Sequence, residues 1–338
     1  MRIAIDGMGG DNAPSAIVEG CVKAAEFISH RILIVGDESQ INHELDKYEY
    51  DSEQIKIVHA SDVITNDDAP VRAVRTKTES SMVKGITMLK EQEADLFISA
   101  GNTGAIMAGG LFILGRIQGI DRPALAATYP ILLGQGVSLL VDTGANVECK
   151  PNNLLEYATM GSIYMKKVMD IDNPTVGLVN VGHEDNKGTT IIKSAYEMLK
   201  RSNLNFLGNV EARDVPKGVC DVIVCDGFVG NVILKLTEGL AWTILKLIKT
   251  KITAGMIPKI GALLLSGKLK ELKEEFDYSE YGGAPILGVK GAIVKMHGSS
   301  SANAVKNTIL KGIPFAENNV VQIIQDSVLE LEEVIISE

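Results

Sequence analysis

Short runs rich in Ile, Val and Leu recur along the chain, each closed by a polar, glycine-bearing turn and followed by a longer helix-like segment. Runs at 2–6, 32–35, 55–58, 95–99, 175–179 and 221–225 read as strands, with a short one near 205–208 and another at 291–296. Helices are expected over 14–29, 70–93, 103–117, 152–169, 189–201, 302–312 and 316–335, and a further one from Val232. Strands near 124–131 and 137–142 flank Gly134-Gln135-Gly136, the pattern of an antiparallel hairpin, and 281–285 reads as a turn. Strand–helix alternation predicts an α/β fold with a doubly wound, mostly parallel sheet and helices on both faces. With no linker or low-complexity tract, residues 1–338 are expected to form one domain.

The turns carry the candidate chemistry. The segment Asp226-Gly227-Phe228-Val229-Gly230-Asn231 joins the strand ending at Cys225 to a helix, so backbone N–H groups and a helix N-terminus converge on one spot suited to an anion. The layout recurs at Asp6–Asp11, at Ser99–Gly104 (with Asn102 and Thr103) and at His297–Ser301, and in looser form at Asp142–Asn146 and Asn180–His183. In open α/β sheets ligands bind beyond the carboxyl ends of the strands. The turns are therefore expected to line one crevice for a small anion held largely by backbone.

One segment departs from this rhythm. Residues 239–275 are expected to form a protruding helical hairpin, apolar along Trp242, Ile244, Leu245, Leu247 and Ile248. Its stretch from Leu240 to Lys270 carries six lysines and no acid. Met256, Ile257 and Ile260 sit near its tip, a pattern suited to an anionic membrane surface or to a second subunit. Arg72, Arg75 and Lys77 crowd an expected helix start, where cations are disfavoured. Salt bridges to Asp67 and Asp68, or an external anion (an acidic partner or a phosphate), are the two ways to relieve them.

Composition narrows the classes. The net charge of −10 over 338 residues argues against nucleic acid as partner. Cys21, Cys149, Cys220 and Cys225 show no C-x-x-C spacing, which suits reduced intracellular thiols without a disulfide framework or a metal site. With no signal pattern and no apolar run near the ~20 residues of a spanning helix, a cytoplasmic location is expected.

Several ordered runs closely resemble the PlsX family of phosphate acyltransferases. They are Asp-Gly-Met-Gly-Gly-Asp from Asp6, Ile-Ser-Ala-Gly-Asn-Thr-Gly-Ala from Ile98, Gly-Arg-Ile from Gly115, Asp-x-Gly-Ala-Asn-Val from Asp142, Asn-Val-Gly-x-Glu-Asp-x-Lys-Gly from Asn180, Gly-Asn-Val-Glu-Ala-Arg-Asp from Gly208, Asp-Gly-Phe-x-Gly-Asn-Val from Asp226 and His-Gly-Ser-Ser from His297. The resemblance covers nearly the whole chain. It implies a fold similar to phosphotransacetylases and the isocitrate/isopropylmalate dehydrogenase group. It also implies a homodimer that sits peripherally on the inner face of the cell membrane. The implied reaction is reversible transfer of a long acyl group from acyl carrier protein to inorganic phosphate, giving acyl phosphate for phosphatidic acid synthesis. No cofactor is expected, and a downstream membrane glycerol-3-phosphate acyltransferase is a candidate partner.

The match places Lys187 in the active site, sited to neutralise phosphate or the oxyanion. Asn231 is placed to donate its amide to the thioester carbonyl, or else serves as a helix cap. Asn102, Thr103, Gly104, Gly230, His297 and Ser299 are candidates for phosphate or the acyl end. Asp142 and Asp226 join them, with orienting donors or capping turns as their more natural task. Arg72 and Arg75 are candidates for carrier docking. A covalent route through Cys149 or Cys225 stays open beside direct attack by phosphate. Rival functions are a decarboxylating dehydrogenase, for which no aspartate trio or arginine set assembles, a short-chain phosphotransacetylase, and a membrane-recruited scaffold.

Overall fold

A computed structural model describes the chain except for residues 133, 135, 254, 256–260, 262–264, 269–281 and 338. Met256, Ile257 and Ile260 lie outside the described residues. The strands are β1 (Arg2–Asp6), β2 (Arg31–Gly36), β3 (Ile55–His59), β4 (Leu96–Ser99), β5 (Ala124–Pro130), β6 (Val137–Val141), β7 (Thr175–Asn180), β8 (Asn205–Glu211), β9 (Val222–Val224), β10 (Ala284–Leu287) and β11 (Ile293–Lys295). Among the described residues they form one sheet in the order β3-β2-β1-β4-β11-β10-β5-β6-β9-β7-β8.

The helices are α1 (Ser15–Ala25), α2 (Glu38–Leu45), α3 (Pro70–Thr76), α4 (Ser81–Lys90), α5 (Thr103–Gly109), α6 (Pro151–Val168), α7 (Thr190–Arg201), α8 (Gly227–Ile252), α9 (Ala302–Glu317) and α10 (Val320–Ser337). They cover both faces of the sheet. Strand side chains sort between them with a period of two. Ile3, Ile5, Leu96, Ile98, Leu139, Val141, Val222 and Val224 pack with α1, α6 and α9. The intervening Ala4 and Phe97 face α4 and α5, and Leu140 and Ile223 face α8.

Strand direction changes part-way across the sheet. The sheet is parallel from β3 to β11, but β11–β10, β10–β5 and β5–β6 are antiparallel, and β6, β9, β7 and β8 then run parallel to one another. The two parallel halves therefore point in opposite directions, yet turns after β4 and β11 of one half and after β6 and β9 of the other line a common cavity. At the reversal β10 meets β5 only through Ile286–Leu125 and Leu287–Ala124. Beyond that short pairing Ala284 of β10 and Ala127 and Thr128 of β5 line a cavity.

Three local expectations change as well. The expected helix 70–93 is two helices: Lys77 closes α3, and Ser80 caps α4 by accepting from Val83 N–H. Lys77 Nζ lies 2.8 Å from the Asp68 carboxylate and 2.8 Å from the Val63 carbonyl. At the C-terminal end of α3 that cation opposes no dipole. Helix 103–117 shortens to α5 and a π-helical turn, Gly110–Leu114, that stops at Gly115 with φ +84°. Ala284-Pro285 begins a strand instead of completing a turn. The expected antiparallel pairing of the strands flanking 134–136 is present, as is the strand near 205–208, extended to Glu211.

Candidate active site

The turn after β9 is locked by close backbone approach. Asp226 caps α8 by accepting from Val229 N–H at 2.8 Å, and Gly227 N–H donates to the Asn146 carbonyl at 2.8 Å. A Cβ on Gly230 would lie 1.9 Å from the Asp142 carbonyl oxygen, so only glycine lets the 142–146 loop rest on the first turn of α8. Asp142 is fully buried. Its carboxylate accepts from the N–H groups of Leu125, Gly144, Ala145 and Asn146 at 2.7–3.1 Å and from Asn146 Nδ2 at 3.0 Å. Burial pushes its pKa up while these donors pull it down. Asp142 organises the turn from within and lines neither of the cavities described below.

The first cavity, of about 390 Å³, collects Thr103 from the turn after β4, Thr143 and Gly144 after β6, Asn231 on α8, and His297 and Ser300 after β11. Asn231 stands beside Gly144: a Cβ built there would come within 3.8 Å of the amide carbon. His297 Nδ1 lies 2.8 Å from Ser299 Oγ and accepts from Ser299 N–H at 3.2 Å, which leaves the ring proton on Nε2. Burial, reinforced by Lys295 and Lys235, lowers its pKa, so the ring is neutral at pH 7. Ser299 orients the ring, whereas its neighbour Ser300 lines the cavity.

Asn102 is spent on structure: Oδ1 accepts from Ala105 N–H at 3.1 Å, capping α5, and Nδ2 donates to the Thr65 carbonyl at 3.2 Å. Gly104 packs on Pro70, where a Cβ would come within 2.7 Å of the ring.

Lys187 and Asn231 are not brought to one cavity wall. Lys187 is exposed in the loop after β7, where the Asn180 side chain donates to its carbonyl at 3.2 Å. Its acidic neighbour Asp185 pairs with Lys200 at 3.4 Å, and Lys187 has no ion pair among the described residues. The same loop contributes Asn180, Val181, Gly188 and Thr189 to a second cavity of about 1030 Å³. That cavity is lined largely by apolar side chains, among them Val147, Val179, Ile191, Ile192 and Val229, and it reaches Asp226. Residues of the Asp226–Asn231 turn line both cavities, Asn231 the first and Asp226 and Val229 the second. Arg72 and Arg75 are exposed on α3, remote in sequence from both linings, with the Arg75 guanidinium 5.0 Å from the centre of the Phe112 ring.

The family model described as fatty acid synthesis protein matches residues 1–323. The chain belongs to this family. The phosphate acyltransferase of Alkaliphilus oremlandii is 54% identical over 331 residues, covering 98% of each chain. Similar solved structures are a phosphotransacetylase from Streptococcus pyogenes (TM-score 0.60, 15% identity, 94% of each chain) and a 4-hydroxythreonine-4-phosphate dehydrogenase from Klebsiella pneumoniae (TM-score 0.55, 10% identity, 94% of this chain and 97% of that one). At such identity they establish the fold alone. This fatty acid synthesis family member is accordingly an acyltransferase of lipid biosynthesis, on the phosphotransacetylase-like and dehydrogenase-like fold that the motifs imply.

Several residues of the family member's first cavity escape sequence reasoning. Lys295 ends β11 and lines the cavity half-buried, donating to the Met296 carbonyl at 2.8 Å. Lys235 and Glu238, paired at 3.0 Å, line it from α8. Their signal was present: Asn231, Lys235 and Glu238 stand at i, i+4 and i+7 on one helical stripe.

Cys149 and Cys225 are buried, and burial raises both thiol pKa values, Cys225 far above its ordinary range. Cys225 Sγ lies 3.5 Å from the Asp142 carbonyl and Cys149 Sγ 3.6 Å from the Tyr157 hydroxyl. Neither environment favours a thiolate nucleophile.

Proposed function

We propose that this acyltransferase moves a long-chain acyl group reversibly from acyl carrier protein to inorganic phosphate, giving acyl phosphate for phosphatidic acid synthesis. The observation that carries the reading is that one turn, Asp226–Asn231, lines two cavities, a smaller one bearing Lys235 and Lys295 and a larger, more apolar one. The first suits phosphate, with Thr103, Asn231 and His297 as donors. The second suits the acyl end of the donor.

Phosphate is already anionic, so positioning and charge stabilisation dominate over base catalysis. Phosphate attacks the thioester carbonyl directly. Asn231 donates to the developing oxyanion, Lys187 neutralises charge from the side of the larger cavity, and Arg72 and Arg75 receive the acidic carrier.

Beyond the site, α8 is long and apolar enough by length and composition to cross a bilayer. Its base is anchored in the core through Gly227, Gly230 and Ile233, however, while Leu236, Leu240, Trp242, Ile244 and Leu247 are exposed. Such a helix suits a surface contact better than a span. The apolar stripe serves a homodimer or peripheral attachment to the anionic cytoplasmic face, where a membrane glycerol-3-phosphate acyltransferase would consume the product.

The test is phosphate-dependent release of free carrier from palmitoyl-carrier. Turnover is expected in the wild type, with a drop of about two decades or more in Lys187→Ala. A folded wild type that releases no carrier when phosphate is added refutes the reaction, and an unimpaired Lys187→Ala moves the site.

A further inference from the structure

The first cavity holds a charge arrangement that the family motifs do not explain. Three ionised side chains line it: Lys235 and Glu238 from α8, and Lys295 from the end of β11. Lys235 and Glu238 neutralise each other at 3.0 Å, and His297 is neutral at pH 7. The excess charge of the lining is therefore one positive, and it belongs to Lys295. In a chain of net charge −10 that local reversal is what an entering anion meets.

Lys295 is also held in place. β11 is paired on both sides, Ala284 of β10 lying opposite Lys295, with Ser99 of β4 on the other side. Its backbone is thus fixed in the sheet, its ammonium donates to the Met296 carbonyl at 2.8 Å, and it shares the cavity lining with Asn231 of α8. The charged and titratable groups around it are Lys235 and Glu238 on α8 and His297 after its own strand, with Asp11 from the loop after β1 acting on His297. Glu238 Oε2 pairs with Lys235, and its Oε1 is enclosed with no hydrogen-bond partner among the described residues.

We propose that Lys295 is a catalytic residue that holds the phosphate dianion in this cavity and passes the proton from hydrogen phosphate to the departing thiolate. The assignment rests on the acyl-transfer reading above. A phosphate oxygen attacks the thioester carbon, the C–O bond forms, and the C–S bond breaks with its electron pair going to sulfur. Sulfur takes a proton from the Lys295 ammonium. The neutral amine then takes the proton that hydrogen phosphate carried, so the acyl phosphate leaves as the dianion and the lysine is recharged. Hydrogen phosphate and thioester enter, acyl phosphate and thiol leave, and no further reactant is needed. Burial foremost, then Lys235, brings the Lys295 pKa down to about 8, close to the ~8.5 of an ordinary thiol. Such matching is what an efficient proton shuttle requires.

The experiment compares wild type, Lys295→Ala and Lys295→Arg, each first confirmed folded by circular dichroism and melting. Binding of inorganic phosphate alone is measured by calorimetry, and turnover of palmitoyl-carrier is followed across pH. Lys295→Ala is expected to lose at least tenfold in phosphate affinity and about 10²–10⁴-fold in kcat. Added primary alkylamines should restore part of its kcat. Lys295→Arg should keep phosphate affinity within a few-fold yet stay slow, because guanidinium does not release its proton, and it should lack the fall in kcat that wild type shows above pH ~8.

Wild-type kcat and phosphate affinity in Lys295→Ala would overturn the proposal. A Lys295→Arg enzyme with the wild-type rate and pH profile would overturn the proton role. If wild type shows no phosphate-dependent turnover, the acyl-transfer reading fails. The binding arm still decides the anion site, since phosphate binding that survives Lys295→Ala removes it.

Discussion

Replacing Lys295 by methionine should make the folded chain more stable at neutral pH. The lysine keeps an ammonium where burial and the Lys235 charge bring its pKa from 10.5 down to about 8. At 1.36 kcal/mol per unit, holding that charge inside the fold costs about 3 kcal/mol. The side chain keeps some water contact, and the variant leaves the Met296 carbonyl without its donor, so the net gain should be about 1–2 kcal/mol.

The sign follows from linkage. The folded pKa lies below the unfolded one, so the cost is complete below pH 8. It fades between pH 8 and 10.5, where the unfolded chain binds the proton that the folded chain has shed. The assay is urea unfolding of both proteins at pH 7 and at pH 10, without phosphate. The variant's advantage should be largest at pH 7 and small at pH 10, and saturating phosphate should stabilise wild type alone. A variant less stable than wild type at pH 7, or a difference independent of pH, would refute the electrostatic reasoning.

Other perturbations separate the remaining parts of the site. Gly230→Ala drives a methyl into the Asp142 carbonyl, with an expected loss of roughly 3 kcal/mol or more in chemical denaturation. Cys149→Ala and Cys225→Ala should each keep kcat within a few-fold, because both thiols line the larger cavity but burial keeps them un-ionised. Loss of activity in both, with folding intact, would restore the covalent route. Charge reversal at Arg72 and Arg75 should raise the Michaelis constant for the acidic carrier about tenfold while leaving the phosphate constant alone. An unaltered carrier constant removes that docking face. Met256→Glu with Ile257→Glu should abolish co-sedimentation with anionic vesicles and spare soluble turnover, and continued vesicle binding would point to a different attachment surface.

Much of this architecture is legible in the chain because strand periodicity is a local property. The alternation of Ile3, Ala4 and Ile5, or of Val222, Ile223 and Val224, already states which side chain meets which helix layer. Direction is not local. The reversal depends on β10, a short strand beginning at Ala284-Pro285 that pairs antiparallel with its sequence neighbour β11 and with β5 from far away in sequence. Nothing in its own pattern says so. The turns looked like one crevice; those after β4, β6, β9 and β11 do share a cavity, while the turn after β7 lines the other.

The site shows the same boundary between local and tertiary information. Asp142 and Gly230 advertise themselves as turn residues, yet that they touch each other is a fact of packing. Asn231 was visible at a helix start. Its companions Lys235 and Glu238 lay on the same helical stripe, but their meaning came only once Lys295 arrived from β11.

What joins these parts is α8. At 1.5 Å per residue its 26 residues extend about 39 Å. Its base is fixed by glycines against the Asp142 loop, and its outer turns bear exposed Trp242 and Leu247. An α-helix transmits displacement along its axis far better than a loop does. A contact made by the outer turns therefore acts on the element that also carries Asn231, Lys235 and Glu238. The exposed stripe and three polar residues of the anion cavity thus belong to one continuous helix.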